Sequence, residues 1–383
     1  MRHGLVFSSL LLVALFLALS PTAMASSTWY VDGVNGSDNN DCKSPQTACK
    51  TIGHAISLAS SGDSIMVAAA TYTENLTIGF SLRLVGSGAK TTFVDGGRHN
   101  TVVRISKKNA HVALSKVTVR NGAALAAGGG IFNLGTLAIN NSIISGNVAN
   151  VNRLSSGGGI YNNGTLKISN STISGNMASD WGGGILNLGA LTITKSILSA
   201  NFAGRFGGGI RNNGTLTISS STLSGNSIAG VGGGIFNYAG TTLTINNSTL
   251  SGNSAGGRAG SIYNYSGTAI LQNSIVANSS NGGNCYGTMT SNGYNLSSDD
   301  TCNFNNGGDL NNTNPKLGQL GNYGGPTQTI PLLSGSPAID TGNPSGCTDG
   351  HGHLLKTDQR GKPRPDKEDT SGCDRGAYER QKD

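Results

Sequence analysis

Acidic residues are nearly missing from the middle of this 383-residue chain: between His99 and Ser298 stand eleven Lys/Arg and one acid, Asp180. Acid–base work by paired carboxylates and a multi-ligand Ca²⁺ site both need acids grouped on one face. The middle of the chain does not supply them. The other acids sit toward the ends, among them Asp32, Asp38, Asp41, Asp63 and Asp95, then Asp340, Asp358 and Asp374. Acids in Gly/Asn-rich turns are expected to cap backbone amides. No Cys-x-x-Cys occurs, which argues against a zinc site, and His351-Gly-His353 beside Asp349 lacks a clear third ligand. No P-loop, dinucleotide fingerprint or Ser/His/Asp constellation stands out. No catalytic residue, metal or cofactor is therefore assigned. Lys167, Lys195 and Arg211 could abstract a proton, but as single charges on outward positions they read as solvated surface. The net charge of +7 is spread singly along the chain, so nucleic acid is not an expected partner.

Long apolar runs are also scarce. The first, Leu5 to Leu19, follows Met1-Arg2-His3 and precedes Ala23-Met24-Ala25. A basic start, a short apolar core and an Ala-x-Ala ending predict a secretory signal over residues 1–25. No later stretch is long enough to span a bilayer. The six cysteines fit export into an oxidising compartment. Their connectivity stays open from sequence, but local pairing predicts Cys42–Cys49, Cys285–Cys302 and Cys347–Cys373.

What the chain has in abundance is glycine and asparagine in a repeating phrase, as in "GGGIRNNGTLTISSSTLSGN" at 207–226. Ile131, Ile160, Ile185, Ile210, Ile235 and Ile262 are each followed two residues later by Asn, and the commonest step is 25 residues. Alternating Leu/Ile runs follow, then a further short run that closes on "SGN" or a variant. Alternation over four to six residues means strand. A unit this small cannot bury its own apolar side, and stacking units rung on rung does so. The expected fold is all-β: a right-handed parallel β-helix, a three-sheet solenoid of about 25 residues per coil. Gly and Asn at the corners tolerate positive φ. Asn187 and Asn212 should turn inward and stack their amides between rungs.

Less regular alternation precedes the repeat, and "CKTIGHAISLASSGDSI" places Ile52, Ala55, Ile56 and Ala59 on one helical face. A short helix there would plug the first rung. After about residue 280 the repeat fails. The predicted organisation is a signal over 1–25, an N-terminal cap with a short helix over 26–62, a parallel β-helix over 63–280 and a cysteine-containing C-terminal module over 281–383.

The stretch "GSDNNDCKSPQTACKTIGHAISLASSGDSIMVAAATYTENLTI" resembles the start of secreted bacterial right-handed β-helix proteins of the pectin-lyase-like superfamily. The "GGGI…N…SGN" units resemble repeats of polymorphic outer-membrane proteins. The tail "LGNYGGPTQTIPLLSGSPAIDTG", with "TDQRGKPRP" and "CDRGAYE", resembles the choice-of-anchor Q domain of bacterial surface proteins. The resemblance implies a secreted or cell-surface β-helix and no single activity. Polysaccharide lyase or glycoside hydrolase chemistry of the pectin-lyase-like fold is the alternative it keeps open. No sorting motif follows the anchor-like segment before Asp383, so the resemblance leaves open whether and how the protein is anchored.

Binding has the better case. With Ile131 and its equivalents inward, the next residue points outward, giving the column Phe132, Tyr161, Leu186, Arg211, Phe236 and Tyr263. A second short column places Trp181 over Phe206 with Arg205 adjacent. Exposed aromatics at strand spacing can lie against sugar faces. The expectation is a monomeric scaffold that binds glycan or a protein partner, a polysaccharide or another cell-envelope component, through Phe132, Tyr161, Trp181, Phe206, Arg211, Phe236 and Tyr263.

Overall fold

The computed structural model describes residues 26–150, 155–349, 352–366 and 372–381. The signal over 1–25 and His351 lie outside them. The chain winds into a parallel β-solenoid whose strands all pair with their equivalents one coil away. Three long sheets of eleven, nine and ten strands run the length of the molecule. The nine-stranded sheet, from Leu76–Ile78 to Cys285–Tyr286, counts nine coils. A fourth sheet was not expected. It has six strands of two residues each, from Ala123–Ala124 to Ser254–Ala255, and two residues are too few to show an alternating pattern.

Register is kept coil to coil. Ile160 pairs with Ile185, Ile185 with Ile210 and Ile210 with Ile235. Each inward Ile or Leu therefore stacks on its own kind, and one continuous core runs from the cap to Phe304. Polar columns run beside the apolar ones. The Asn162 Nδ2 group donates to Asn187 Oδ1 at 2.8 Å, Asn187 to Asn212 at 2.8 Å, and Asn212 to Asn237 at 2.8 Å. These fully buried amides form the expected ladder. A second ladder joins Asn147, Asn176, Asn201, Asn226 and Asn253 at the "SGN" corner. At a third corner serine does the same work: Ser196 Oγ accepts from Ser171 N at 3.2 Å and donates to Thr194 O at 2.7 Å. Amides and hydroxyls are neutral and both donate and accept, so in each of these columns one rung can satisfy the next.

The triple glycine has a steric cause. Gly182 sits at φ +62, where L side chains are strained. A Cβ on Gly183 would stand 2.2 Å from Phe202 O, and one on Gly184 2.6 Å from Gly209 O. The turn folds so tightly onto the next coil that no side chain fits.

Both ends are closed by irregular structure. Helix α1 (Ile52–Leu58) buries Ile52, Ala55 and Ile56 against the first coil. Glu74 accepts from the first free amides of that helix, Ile52 N at 2.9 Å and Gly53 N at 2.7 Å, as an anion at a helix N-terminus should. The outermost strand, Thr28–Val31, is covered by the loop that Cys42–Cys49 ties, with Tyr30 N donating to Cys42 O at 2.9 Å. Covering that strand blocks edge-to-edge pairing.

At the other end, pairing continues beyond residue 280. Cys285–Tyr286, Thr290–Ser291 and Leu296–Ser297 add strands to the three long sheets, although the consensus has gone. The remaining tail does not cap the last coil alone. It turns back along the ten-stranded sheet and covers Ile197, Thr222, Thr249 and Ile275, all buried. Gln359 accepts from Thr222 Oγ1 at 2.6 Å, and Thr249 Oγ1 accepts from Ala377 N at 3.0 Å. All three cysteine pairs form as expected. Among the described residues no helix is long and apolar enough to cross a membrane.

Candidate functional site

The outward position of each three-residue strand in the nine-stranded sheet lies between an inward Ile and an inward Asn. In-register pairing therefore puts Phe132, Tyr161, Leu186, Arg211, Phe236 and Tyr263 in one file. Phe132 and Tyr161 stack with centroids 4.7 Å apart, and Phe236 and Tyr263 with centroids 5.3 Å apart. These separations are close to the strand spacing itself.

The file is longer than the repeat revealed. Arg104 lies over Phe132 at 4.3 Å, and Tyr286 stacks on Tyr263 at 4.9 Å with Arg258 over its ring at 4.6 Å. A neighbouring pair, Tyr238 and Tyr265, adds two rings tilted by 32° with centroids 5.8 Å apart. These residues escaped the sequence reading because Arg104 and Tyr286 sit in coils that lack the consensus. The recurring "NY" at 237–238 and 264–265 was the available signal.

Burial corrects one expectation. Phe132, Tyr161 and Tyr263 are half-exposed, but Leu186, Arg211 and Phe236 are buried. The reason lies in the glycine turn, which folds the residue before it onto the outward residue of the next coil. Arg211 thus lies 3.8 Å over the Trp181 ring, and Phe206 packs 4.8 Å from Phe236. The two columns form one layer rather than two faces. Two aromatic patches remain open on either side of this covered stretch. The larger holds Tyr238, Tyr265 and Tyr286, exposed by 40%, 49% and 40%.

Under the covered stretch lies Asp180, the only acid of the central coils, itself buried. Arg205 Nε approaches Asp180 Oδ1 to 3.5 Å. Burial pushes the Asp180 carboxyl above its ordinary range, against the pull of Arg205 and Arg211. Burial likewise lowers the Arg211 guanidinium, opposed by Asp180.

The acids at the ends are occupied as caps. Asp38 accepts from Lys50 N and Thr51 N at 2.9 Å each. Asp63 accepts from Ser27 N at 2.7 Å, Ser60 N at 2.9 Å and Trp29 Nε1 at 2.8 Å. Asp41 serves Lys43 N and the Thr47 hydroxyl. Burial works against ionisation at Asp38 and Asp63, yet these hydrogen bonds hold both carboxyls below the usual value.

In the tail, Asp358 pairs with Arg360 at 2.7 Å and Glu379 with Arg364 at 2.6 Å, all four buried. They are among the charged residues of "TDQRGKPRP" and "CDRGAYE", and Glu379 joins the two segments by accepting from Arg364 Nε at 2.6 Å and donating its N–H to Asp358 Oδ2 at 3.1 Å. Of the suggested bases, Lys195 bonds the Thr357 hydroxyl, Arg211 is buried and Lys167 is exposed. Cys42, Cys49 and His54 lie close together, but the two sulfurs share a disulfide and offer no thiolate. His353 contacts Asp349 at 3.0 Å on the exposed surface.

No family model matches the chain, and no curated protein sequence does so either. Among solved structures it resembles the crystal structure of pectate lyase Pel9A, with a TM-score of 0.54 and 14% identity. The likeness covers 94% of this chain and 98% of that one. At that identity the likeness is one of fold alone, and the fold of this chain is a parallel β-helix.

Proposed function

We propose that the protein is an exported β-helix scaffold, secreted or held at the cell surface, that binds an extended glycan along its aromatic file. The observation that carries this reading is the open patch of Tyr263 and Tyr286, flanked by Tyr238, Tyr265 and Arg258. Stacked on one another at strand spacing, the rings present their edges and tyrosine hydroxyls as a strip against which a glycan chain can lie, and an arginine beside them adds donors for hydroxyl or acidic groups. From Phe132 to Tyr286 the file crosses seven coils, or roughly 29 Å at the strand spacing. Its open parts, Phe132 with Tyr161 on one side of the covered stretch and Tyr263 with Tyr286 on the other, would each take sugar units of such a chain. Three disulfides suit an oxidising, extracytoplasmic compartment. The tail is proposed to be of the choice-of-anchor Q type, its motif residues serving to clamp it to the solenoid.

A glycan array on the protein, repeated with Tyr238, Tyr265 and Tyr286 all changed to Ala, tests the reading. Loss of about tenfold or more in affinity at an unchanged melting temperature is expected for exposed stacking residues. Unchanged binding would overturn it. The pectate lyase likeness supports a second reading, polysaccharide cleavage. The central coils hold one carboxylate, Asp180, so this reading needs chemistry led by basic residues. Release of unsaturated or reducing ends from any polymer on the array would favour it.

A further inference from the structure

Four polar atoms in the covered stretch are buried and have no hydrogen-bond partner among the described residues: Asp180 Oδ1, Asp180 Oδ2, Trp181 Nε1 and Arg211 Nη1. Burying a carboxylate without hydrogen bonds is costly, and each such atom in a native protein calls for an explanation. Here all four belong to one contact group. Arg211 lies against the Trp181 ring at 3.8 Å, and its Nε is already used on Asn213 Oδ1 at 2.9 Å. Asp180 precedes Trp181 in the chain. The burial of Asp180 and Arg211 is close to complete, at 1% and 7% exposure.

The unmet demands have a definite count. Two acceptors sit on Asp180, one donor on Trp181 and one on Arg211. A pair of neighbouring hydroxyls matches them, because each hydroxyl donates one hydrogen and accepts another. We propose that Asp180, Trp181 and Arg211 form a subsite that takes the vicinal diol of one neutral sugar residue, with Arg205 as its gate. Arg205 suits that role because its side chain is 62% exposed and its Nε stands 3.5 Å from Asp180 Oδ1. It makes an ion pair there but no hydrogen bond, and its guanidinium lies 5.7 Å from the centroid of the Phe206 ring, so opening it costs that pair and no hydrogen bond. When it swings out, the sugar edge reaches Asp180 between the half-exposed rings of Trp181 and Phe206. This inference rests on the glycan-binding reading and names the group on the glycan that the site reads.

Trp181 reports on the subsite directly, since Trp29 is the only other tryptophan. The probes are methyl glycosides of glucose, galactose and mannose, with their 2-deoxy and 3-deoxy counterparts. At least one parent glycoside should shift tryptophan emission saturably in the full chain and not in Trp181→Phe. Its deoxy counterpart and the Asp180→Asn variant should each bind about tenfold more weakly, the loss expected when a buried hydrogen-bonding group is left unmet. Arg205→Ala, which removes the gate, should bind the parent glycoside at least as well as the unchanged protein. Asp180→Asn removes a buried charge, so its melting temperature should hold or rise. Should that variant fail to fold, the deoxy series and Arg205→Ala still decide. Absence of any Trp181 response, or equal binding by parent and deoxy sugars, overturns the subsite. Polymer binding without a Trp181 response defeats the subsite and leaves the aromatic file standing. A glycoside response without polymer binding defeats the file and leaves the subsite.

Discussion

The coils and the ends of this molecule solve the same problem with different chemistry. Every coil must satisfy polar groups at its corners while burying them against the next coil. The coils use neutral groups: two asparagine ladders and a serine column, repeated with each rung. The ends cannot, because a neutral ladder needs an identical neighbour above and below. There the unmet amides meet carboxylates instead, Asp38, Asp63 and Glu74 at the N-terminal end. Asp299 and Asp309 do the same near the last coil, where they accept from Asn284 N and Asn295 N. Disulfides fasten these same regions. The scarcity of acids in the middle of the chain is thus a consequence of repetition, since a column of stacked carboxylates would repel itself.

The comparison breaks most visibly if a charge is placed in a ladder. In Asn212 the Nδ2 group faces three oxygens, Gly214 O at 3.2 Å, Asn237 Oδ1 at 2.8 Å and Thr242 O at 3.1 Å. Asn212→Asp sets a carboxylate oxygen against them and should cost about 4 kcal/mol at neutral pH. Denaturant melts would show it, and a midpoint unchanged at pH 7 would remove the ladder from the account.

Opening the Cys347–Cys373 bridge should have the next largest effect, a loss of about 3 kcal/mol confined to the tail. Hydrogen exchange on the Cys347→Ser/Cys373→Ser variant should rise at the strands the tail covers, such as Thr222–Ser224 and Thr249–Ser251. The Asn ladders should keep their protection.

Acid sharpens the contrast. Asp38, Asp63 and Asp95 are held below the ordinary value of 3.8, so their stabilisation is complete above it. That stabilisation is lost as pH falls below 3.8 through their folded values. Asp180 is shifted the other way. Its ionisation opposes folding, so acid relieves the central coils while it loosens the ends. Exchange measured near pH 3 should therefore open the Asp38, Asp63 and Asp95 turns before any central strand.

The smallest effect on stability is expected at the exposed rings. Tyr286→Ala should change stability by no more than about 0.5 kcal/mol, while Phe236→Ala, buried in the covered stretch, should cost about 3 kcal/mol. Equal losses would mean that the exposed and covered parts of the file do not differ as described.

Legibility in the sequence follows the same division. The 25-residue repeat exposed the inward Ile and Asn columns because identical neighbours write an identical pattern. It also exposed the outward file, since register carries any position from coil to coil. Depth along that file was not legible. Whether Arg211 is open or covered depends on the fold of the Gly182 and Gly207 turns, not on alternation. The tail was hidden for another reason: Thr222 and Gln359 meet across 137 residues with no local pattern to announce it. The two-residue strands of the fourth sheet were simply too short to show a period.

Hydrogen exchange with and without a glycan taken from the array tests the central claim most directly, because it maps the contact surface without altering it. The account predicts added protection along the outward file, at Ile210–Asn212, Ile235–Asn237, Ile262–Asn264 and Cys285–Tyr286, with none on the tail or the N-terminal cap. Protection confined to the cap, to the tail or to the eleven-stranded sheet would contradict it.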